Sequence, residues 1–437
     1  MTFDVTIYSA DLVVPIVAPP IRGGAIAVRG RRILHVGDRA WVLRELAQRG
    51  LDFREVHWPG VLTPGLVNAH SHLQYTGMAD VGSGSYEGFD DWALAFDTVY
   101  EAGLDWAKDA AHGARLMIEA GTTAVADIVT DASAASALHD ARLHGITFWE
   151  VMSWTNEAWA QTGRSQVVAA LDALPAPPGT GLSPHAPYSL ETVPLLEIPD
   201  IVRERGGRIH LHLGEAALEQ ETAHEQDEAW HSRRPESFRA LRDAGYGTGA
   251  TEFVDQLGVL GPDCHIAHGV YMTARDRAIL RARGTSVALC PRSNAVIGLD
   301  DPPVAAYLIE GNAIAVGTDS LSSSPSLDLM GDVAALHRIA RAQGYTRVDL
   351  PEQLLRAATL GGAHAMGIDT GPDRTGYLAV GALADLTFFD VVVDDTDQAL
   401  EHLVTTGEGT AAATVIDGVL RYASAAFTER TGARAHD

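Results

Sequence analysis

The sequence predicts an α/β protein: a (β/α)8 barrel of the TIM type with a small β-sandwich module formed by the two ends of the chain. Three observations carry this reading. Eight short apolar runs alternate with helical runs in residues 61–368, β-branched segments crowd both termini, and polar side chains recur where the apolar runs stop. Residues 1–60 and 369–437 are expected to be the two parts of the β module, and 61–368 the barrel.

Taken in order, residues 4–14 and 25–36 read as strands, with turn signals at Gly23-Gly24 and Gly30. Residues 385–392 and 414–421 read as strands at the other end, and chain ends commonly lie close enough to pair. Between them, strands are expected at 65–70, 122–128, 146–152, 181–185, 208–213, 264–267, 286–289 and 313–317. Helical stretches such as 106–120, 193–205, 273–283 and 327–343 separate or follow them. The strands are nearly continuous apolar runs, as a sheet covered on both faces requires. Eight such units close into a barrel; an open doubly wound sheet is the alternative. Residues 216–251, rich in Glu, His, Arg and Gly, follow the fifth strand and read either as a solvated loop or as a cover over the barrel mouth.

The composition narrows the class. The 437 residues are 46% hydrophobic, enough for a large core. A formal charge of −25 repels phosphate backbones and argues against nucleic-acid binding. Cys264 and Cys290 lie in apolar runs and read as buried thiols, with no disulfide framework. No apolar run approaches the ~18 residues of a membrane span. The N-terminus carries Asp4 and Asp11 and no basic region, so no signal peptide is expected and the cytoplasm is the default compartment. The expected partner is a small-molecule substrate, with self-association left open and neither membrane nor nucleic acid implied.

In such barrels the strand C-termini build the site. His70 and His72 close the first strand and face one way on an extended chain, as a metal ion needs. The fifth strand ends in His212 with Glu215 three residues on, the sixth in His268, and the eighth in Asp319. His210, one pleat below His212, and His265, at the far end of its strand, read as structural. His144, His337, His436 and the other histidines outside the strand ends read mostly as surface or capping residues. His185 ends the fourth strand; Trp92 follows the first; Arg292, Ser293 and Asn294 follow the seventh. Each could touch substrate or serve only the local structure.

These motifs (Pro64-Gly65-Leu66-Val67-Asn68-Ala69-His70-Ser71-His72, His212-Leu213-Gly214-Glu215, Ala267-His268-Gly269, Gly317-Thr318-Asp319-Ser320) resemble the amidohydrolase superfamily, in its purine and triazine aminohydrolase branch. The resemblance implies one Zn2+ per chain, with Fe2+ as the alternative, held by His70, His72, His212 and Asp319. It implies acid–base roles for Glu215, His268 and Asp319, and substrate contacts from Gln74, Trp92, His185, Arg292 and Asn294. Lys108, the only lysine, lies in a helical run before the second strand, so a carboxylated-lysine bridge between two metals cannot form.

The implied chemistry is hydrolytic deamination of a cyclic amidine. The stretch 289–294, the serines 322–324 and Trp92 look most like aminofutalosine (6-amino-6-deoxyfutalosine) deaminases of menaquinone biosynthesis. Those usually carry Leu-Glu where this chain has Leu73-Gln74. S-adenosylhomocysteine, adenosine or guanine deamination, amide or chlorotriazine hydrolysis, and a barrel kept for binding alone are the alternatives.

Overall fold

The two ends of the chain pair with each other, and the segment between them winds into a barrel. The computed structural model describes residues 4–220 and 248–435. The N-terminal part supplies β1 (Val5–Val13), β2 (Ile21–Arg29), β3 (Arg32–Asp38) and β4 (Phe53–Pro64). Next come β5 (Leu66–Ser71), β6 (Thr122–Val129), β7 (His144–Val151) and β8 (Gly179–Pro184). They are followed by β9 (Arg208–Leu213), β10 (Cys264–His268), β11 (Ser286–Leu289) and β12 (Ile314–Val316). The C-terminal part adds β13 (Leu386–Phe389), β14 (Ala411–Ile416) and β15 (Val419–Ala423).

Strands β5 to β12 form one eight-stranded sheet in sequential order, and every neighbouring pair is parallel. Asp319, just past β12, donates its backbone N–H to the carbonyl of His70 in β5 at 3.0 Å and draws the two edges together. The other seven strands make one mixed sheet, β15-β14-β13-β4-β1-β2-β3. Strand β4 leaves this sheet at Pro64 and enters β5 after Gly65. A Cβ at Gly65 would collide with the Thr123 side chain, so only glycine lets the chain pass from sheet to barrel here.

The expected helices form with their caps. Trp106–Glu119 starts at Asp105, whose carboxylate accepts the Lys108 N–H, and Ala274–Arg283 opens on a Thr273/Asp276 capping box. Gly23-Gly24 is no turn: it lies within β2, while residues 25–36 break at Gly30, whose φ of +57° reverses the chain. Residues 414–421 likewise split into β14 and β15 at Asp417-Gly418. Helices Arg39–Gln48 and Thr396–Thr406 stand in stretches read as strand-rich; the first is built from Ala, Leu, Arg, Glu and Gln, all good helix formers. Residues 221–247 of the proposed cover, and His436, lie outside the described residues.

The barrel interior is lined by Ala69, Ala288, Ala315, Phe148 and two histidines. His210 bonds Ser183 Oγ at 3.1 Å, and His265 Nε2 lies 3.0 Å from the Ala69 carbonyl. Both are structural, as expected. His144 and His337 are not surface residues. His337 pairs with Glu401 at 3.0 Å, and His144 Nε2 sits 3.3 Å from both Asp385 and Asp417, tying the base of β7 to the terminal sheet. Cys264 and Cys290 are buried free thiols. Among the described residues no helix is long and apolar enough to cross a membrane.

Candidate active site

The C-terminal strand ends surround a cavity of about 260 Å³. Four ligand-type side chains meet at its floor. His72 Nε2 and His212 Nε2 are 3.4 Å apart, and Asp319 Oδ1 is 3.5 Å from His70 Nε2 and 3.8 Å from His72 Nε2. All four residues are buried. Burial pushes the His70 pKa down to about 3 and those of His72 and His212 below the usual imidazole range, so the rings are neutral and carry ligand lone pairs. His212 Nδ1 lies 2.9 Å from the His185 carbonyl, which turns Nε2 inward.

Asp319 is held by its whole surroundings. Burial opposes its ionisation, but the close approach of His70, His72 and His268 outweighs it and holds the carboxyl well below its usual range. Oδ2 accepts from Ser293 Oγ at 2.7 Å and Ser323 Oγ at 2.9 Å, and Oδ1 from the Ser320 N–H at 2.8 Å. Asp319 and His268 both have positive φ, +59° and +70°, a backbone conformation costly for residues with a Cβ and often found at functional sites.

Glu215 and His268 face each other across the cavity wall, with His268 Nε2 3.5 Å from Glu215 Oε1. Asn294 Oδ1 lies 3.1 Å from the far ring nitrogen of His268. Burial pushes Glu215 up to about 7. Its backbone is clamped by Glu219, whose buried carboxylate accepts the N–H groups of Gly214 at 2.8 Å, Glu215 at 2.9 Å and Ala216 at 3.1 Å.

Residues 61–421 match the family model described as the amidohydrolase family. The chain belongs to the amidohydrolase family. A relative of this amidohydrolase is the 5-methylthioadenosine/S-adenosylhomocysteine deaminase of Halobacterium salinarum, 31% identical over 346 residues, or 76% of this chain and 73% of the relative. An adenosine deaminase of Xanthomonas campestris with bound zinc has a TM-score of 0.77 at 23% identity, covering 98% of this chain and 97% of its own. The aminofutalosine deaminase of Helicobacter pylori, in complex with methylthio-coformycin, has a TM-score of 0.79 at 19% identity, covering 95% and 99%. The amidohydrolase is accordingly a hydrolytic enzyme acting on C–N bonds.

Two of the residues expected to touch substrate line the amidohydrolase's cavity. His185 stands with its ring 4.9 Å from that of His212, and Trp92 packs on Phe89 and Phe96 while donating its Nε1–H to the Ser322 carbonyl at 2.8 Å. Three do not line it. Gln74 is fully buried, with Oε1 accepting the Thr130 N–H at 3.0 Å, so it shapes the loop after β6. Arg292 points away, bonding Asp332 at 2.9 Å and Glu408 at 2.7 Å. Asn294 reaches the site only through His268.

Several lining residues were absent from the sequence reading, and Glu150 is one that carries a titratable group. Glu150, near the end of β7, is buried, and burial pushes its carboxyl up to about 8. Glu150 and Phe148 alternate with outward positions on β7, a period-two signal that marks it as inward-facing. Much of the lining is aromatic, with Tyr75, Phe89, Trp92, Phe96, Tyr100 and Tyr188.

Proposed function

We propose that this amidohydrolase is a deaminase that hydrolytically releases ammonia from the 6-amino group of an adenine nucleoside. The observation that carries the reading is the convergence of His70, His72, His212 and Asp319 within reach of the facing pair Glu215–His268. The adenine-nucleoside relatives supply the substrate class.

The donor set fits a single zinc ion. Ligand atoms about 2.0–2.1 Å from a tetrahedral zinc lie roughly 3.4 Å apart, and the separations at this floor are 3.4, 3.5 and 3.8 Å. His70 Nε2, which faces Asp319 at 3.5 Å, is buried without a hydrogen-bond partner among the described residues, as suits a ligand nitrogen awaiting an ion. Zinc, with iron as the alternative, would lower the pKa of a water so that it attacks near neutral pH.

The rest falls to the chain's own groups. Asp319, ionised and fixed by Ser293, Ser320 and Ser323, accepts a proton from the attacking water at its carboxylate. Glu215, raised toward neutrality, holds a proton and gives it to the ring nitrogen beside the attacked carbon. His268, steadied by Asn294, hydrogen-bonds the attacking oxygen; Asp319 passes its proton to the departing amine, and the remaining hydroxyl proton returns to Glu215. Trp92, which lines the cavity, offers a face on which the base stacks.

The finer reading is a nucleoside with a bulky 5′ substituent, aminofutalosine foremost. The six aromatic residues of the lining support it, since they offer more apolar surface than a base alone covers. The test is ammonia release by zinc-loaded enzyme from aminofutalosine, S-adenosylhomocysteine, 5-methylthioadenosine, adenosine, guanine and a chlorotriazine. A 5′-substituted adenine nucleoside is expected to show the highest kcat/KM. A lead of tenfold by guanine or the triazine, about 1.4 kcal/mol of transition-state preference, refutes the reading.

A further inference from the structure

The chemistry above uses strand ends β5, β9, β10 and β12. The opposite half of the cavity, where β6, β7 and β8 end, presents Thr130, Glu150 and His185 and takes no part in it. Glu150 stands out there. It is 8% exposed, and its Oε1 is buried and accepts no hydrogen bond among the described residues. The nearest ion-pairing group is His212 Nδ1 at 3.8 Å, beyond hydrogen-bond range, and that nitrogen already faces the His185 carbonyl at 2.9 Å. Glu150 therefore does not orient the ligand histidine, and no arginine or lysine among the described residues pairs with it.

A buried carboxylate oxygen without a donor is destabilising, and a site retains one where a ligand brings the donor. If the adenine-nucleoside reading holds, which this inference requires, the donor can be named by elimination. The 6-aminopurine ring carries N–H donors only on the amino group, which must face Glu215 and the metal ligands. A donor reaching β7, on the other half of the mouth, comes from the substituent on the ring, and the donors of a pentose are its hydroxyls. The surroundings suit a sugar: Thr130 Oγ1 and Tyr75 OH, 3.3 Å apart, and His185 border the same wall.

We infer that Glu150 accepts hydrogen bonds from the ribose hydroxyls of the substrate and makes the site selective for ribonucleosides over their dideoxy counterparts. A dideoxy ligand leaves this buried acceptor unsatisfied, which corresponds to a preference of about 30-fold for the ribose form.

The test uses the zinc-loaded full chain in two measurements. Calorimetry compares the binding of inosine and 2′,3′-dideoxyinosine, neither of which turns over, and ammonia release compares adenosine with 2′,3′-dideoxyadenosine. The wild type is expected to favour the ribose form about 30-fold in both. Glu150→Ala should bring that ratio below about threefold, through weaker binding of the ribose form, while the dideoxy ligands change little. Glu150→Gln, which keeps the shape but only one of the two acceptor oxygens, should fall between the two and carries the comparison if the alanine variant does not fold. An undiminished ratio in folded variants overturns the inference. So does a second equivalent of metal that Glu150→Ala removes, since Glu150 would then be a ligand. Hydroxyl-dependent binding without ammonia release overturns the reaction and keeps the sugar contact; failure of every nucleoside to bind overturns both.

Discussion

His144 is the place where pH should act on the stability of this fold. The residue opens β7 at the base of the barrel, and its Nε2 lies 3.3 Å from Asp385, just before β13, and 3.3 Å from Asp417, in the β14–β15 turn. The Asp385 side chain is fully buried, and Asp417 also pairs with Arg31 at 3.0 Å. Burial alone would push the imidazole pKa down, but the two carboxylates outweigh it and raise it to about 10. Because the folded value lies above the unfolded one of about 6.5, the contribution is complete below pH ~6.5 and is lost as pH climbs toward 10. Asp417, lowered by the same contact, contributes above its unfolded value of about 3.9 and loses that contribution as pH falls through its folded one.

The rise from 6.5 to about 10 sets a ceiling of roughly 5 kcal/mol. Asp417 is 32% exposed, so solvent screening brings the expected value to about 3 kcal/mol. A chain of 437 residues unfolds with an entropy near 0.9 kcal/mol/K, so this equals about 3 °C in Tm. Thermal unfolding at pH 6 and pH 10.5 should therefore show a loss about 3 °C larger for wild type than for His144→Gln, with other titrating groups cancelling in the difference. Parallel pH slopes for the two proteins would refute the ion-pair account.

The remaining expectations concern the cavity. His72→Ala should lose the bound metal, about one per chain in wild type, as read by elemental analysis; full retention would remove His72 from the ligand set. Glu215→Gln should keep metal and fold while turnover drops about 10²-fold or more, and near-normal turnover would move the proton transfer elsewhere. Glu219→Ala removes the acceptor of three backbone N–H groups around Glu215. It should lower kcat about tenfold with KM little changed, and Glu219→Gln should recover part of the loss; an unchanged kcat would reduce Glu219 to a loop anchor.

How much of this could be read from the chain depends on where each residue stands relative to a strand end. Within a strand, period two fixes the inward face, so His70, His210 and His212 could be placed by counting, and the two interior histidines could be told from the ligands by depth. Glu150 obeys the same count. It is next to last in β7 as His212 is next to last in β9. It went unread because a lone carboxylate in the apolar run Thr147-Phe148-Trp149-Glu150-Val151 carries no motif, whereas paired histidines do. Past the strand end the period changes and counting fails. Arg292 stands beside Ser293 and Asn294 in sequence, but Pro291–Ile297 is a helix, and each residue there turns about 100° from the last. Ser293 thereby meets Asp319 and Asn294 meets His268, while Arg292 is carried round to Asp332 and Glu408. Gln74, in the short helix Leu73–Met78, is turned onto Thr130 in the same way. Past the strand ends the outcome is mixed: His185 and Trp92 reach the cavity while Gln74, Arg292 and Asn294 do not, because each depends on the rotation that its connecting segment adopts after leaving the barrel.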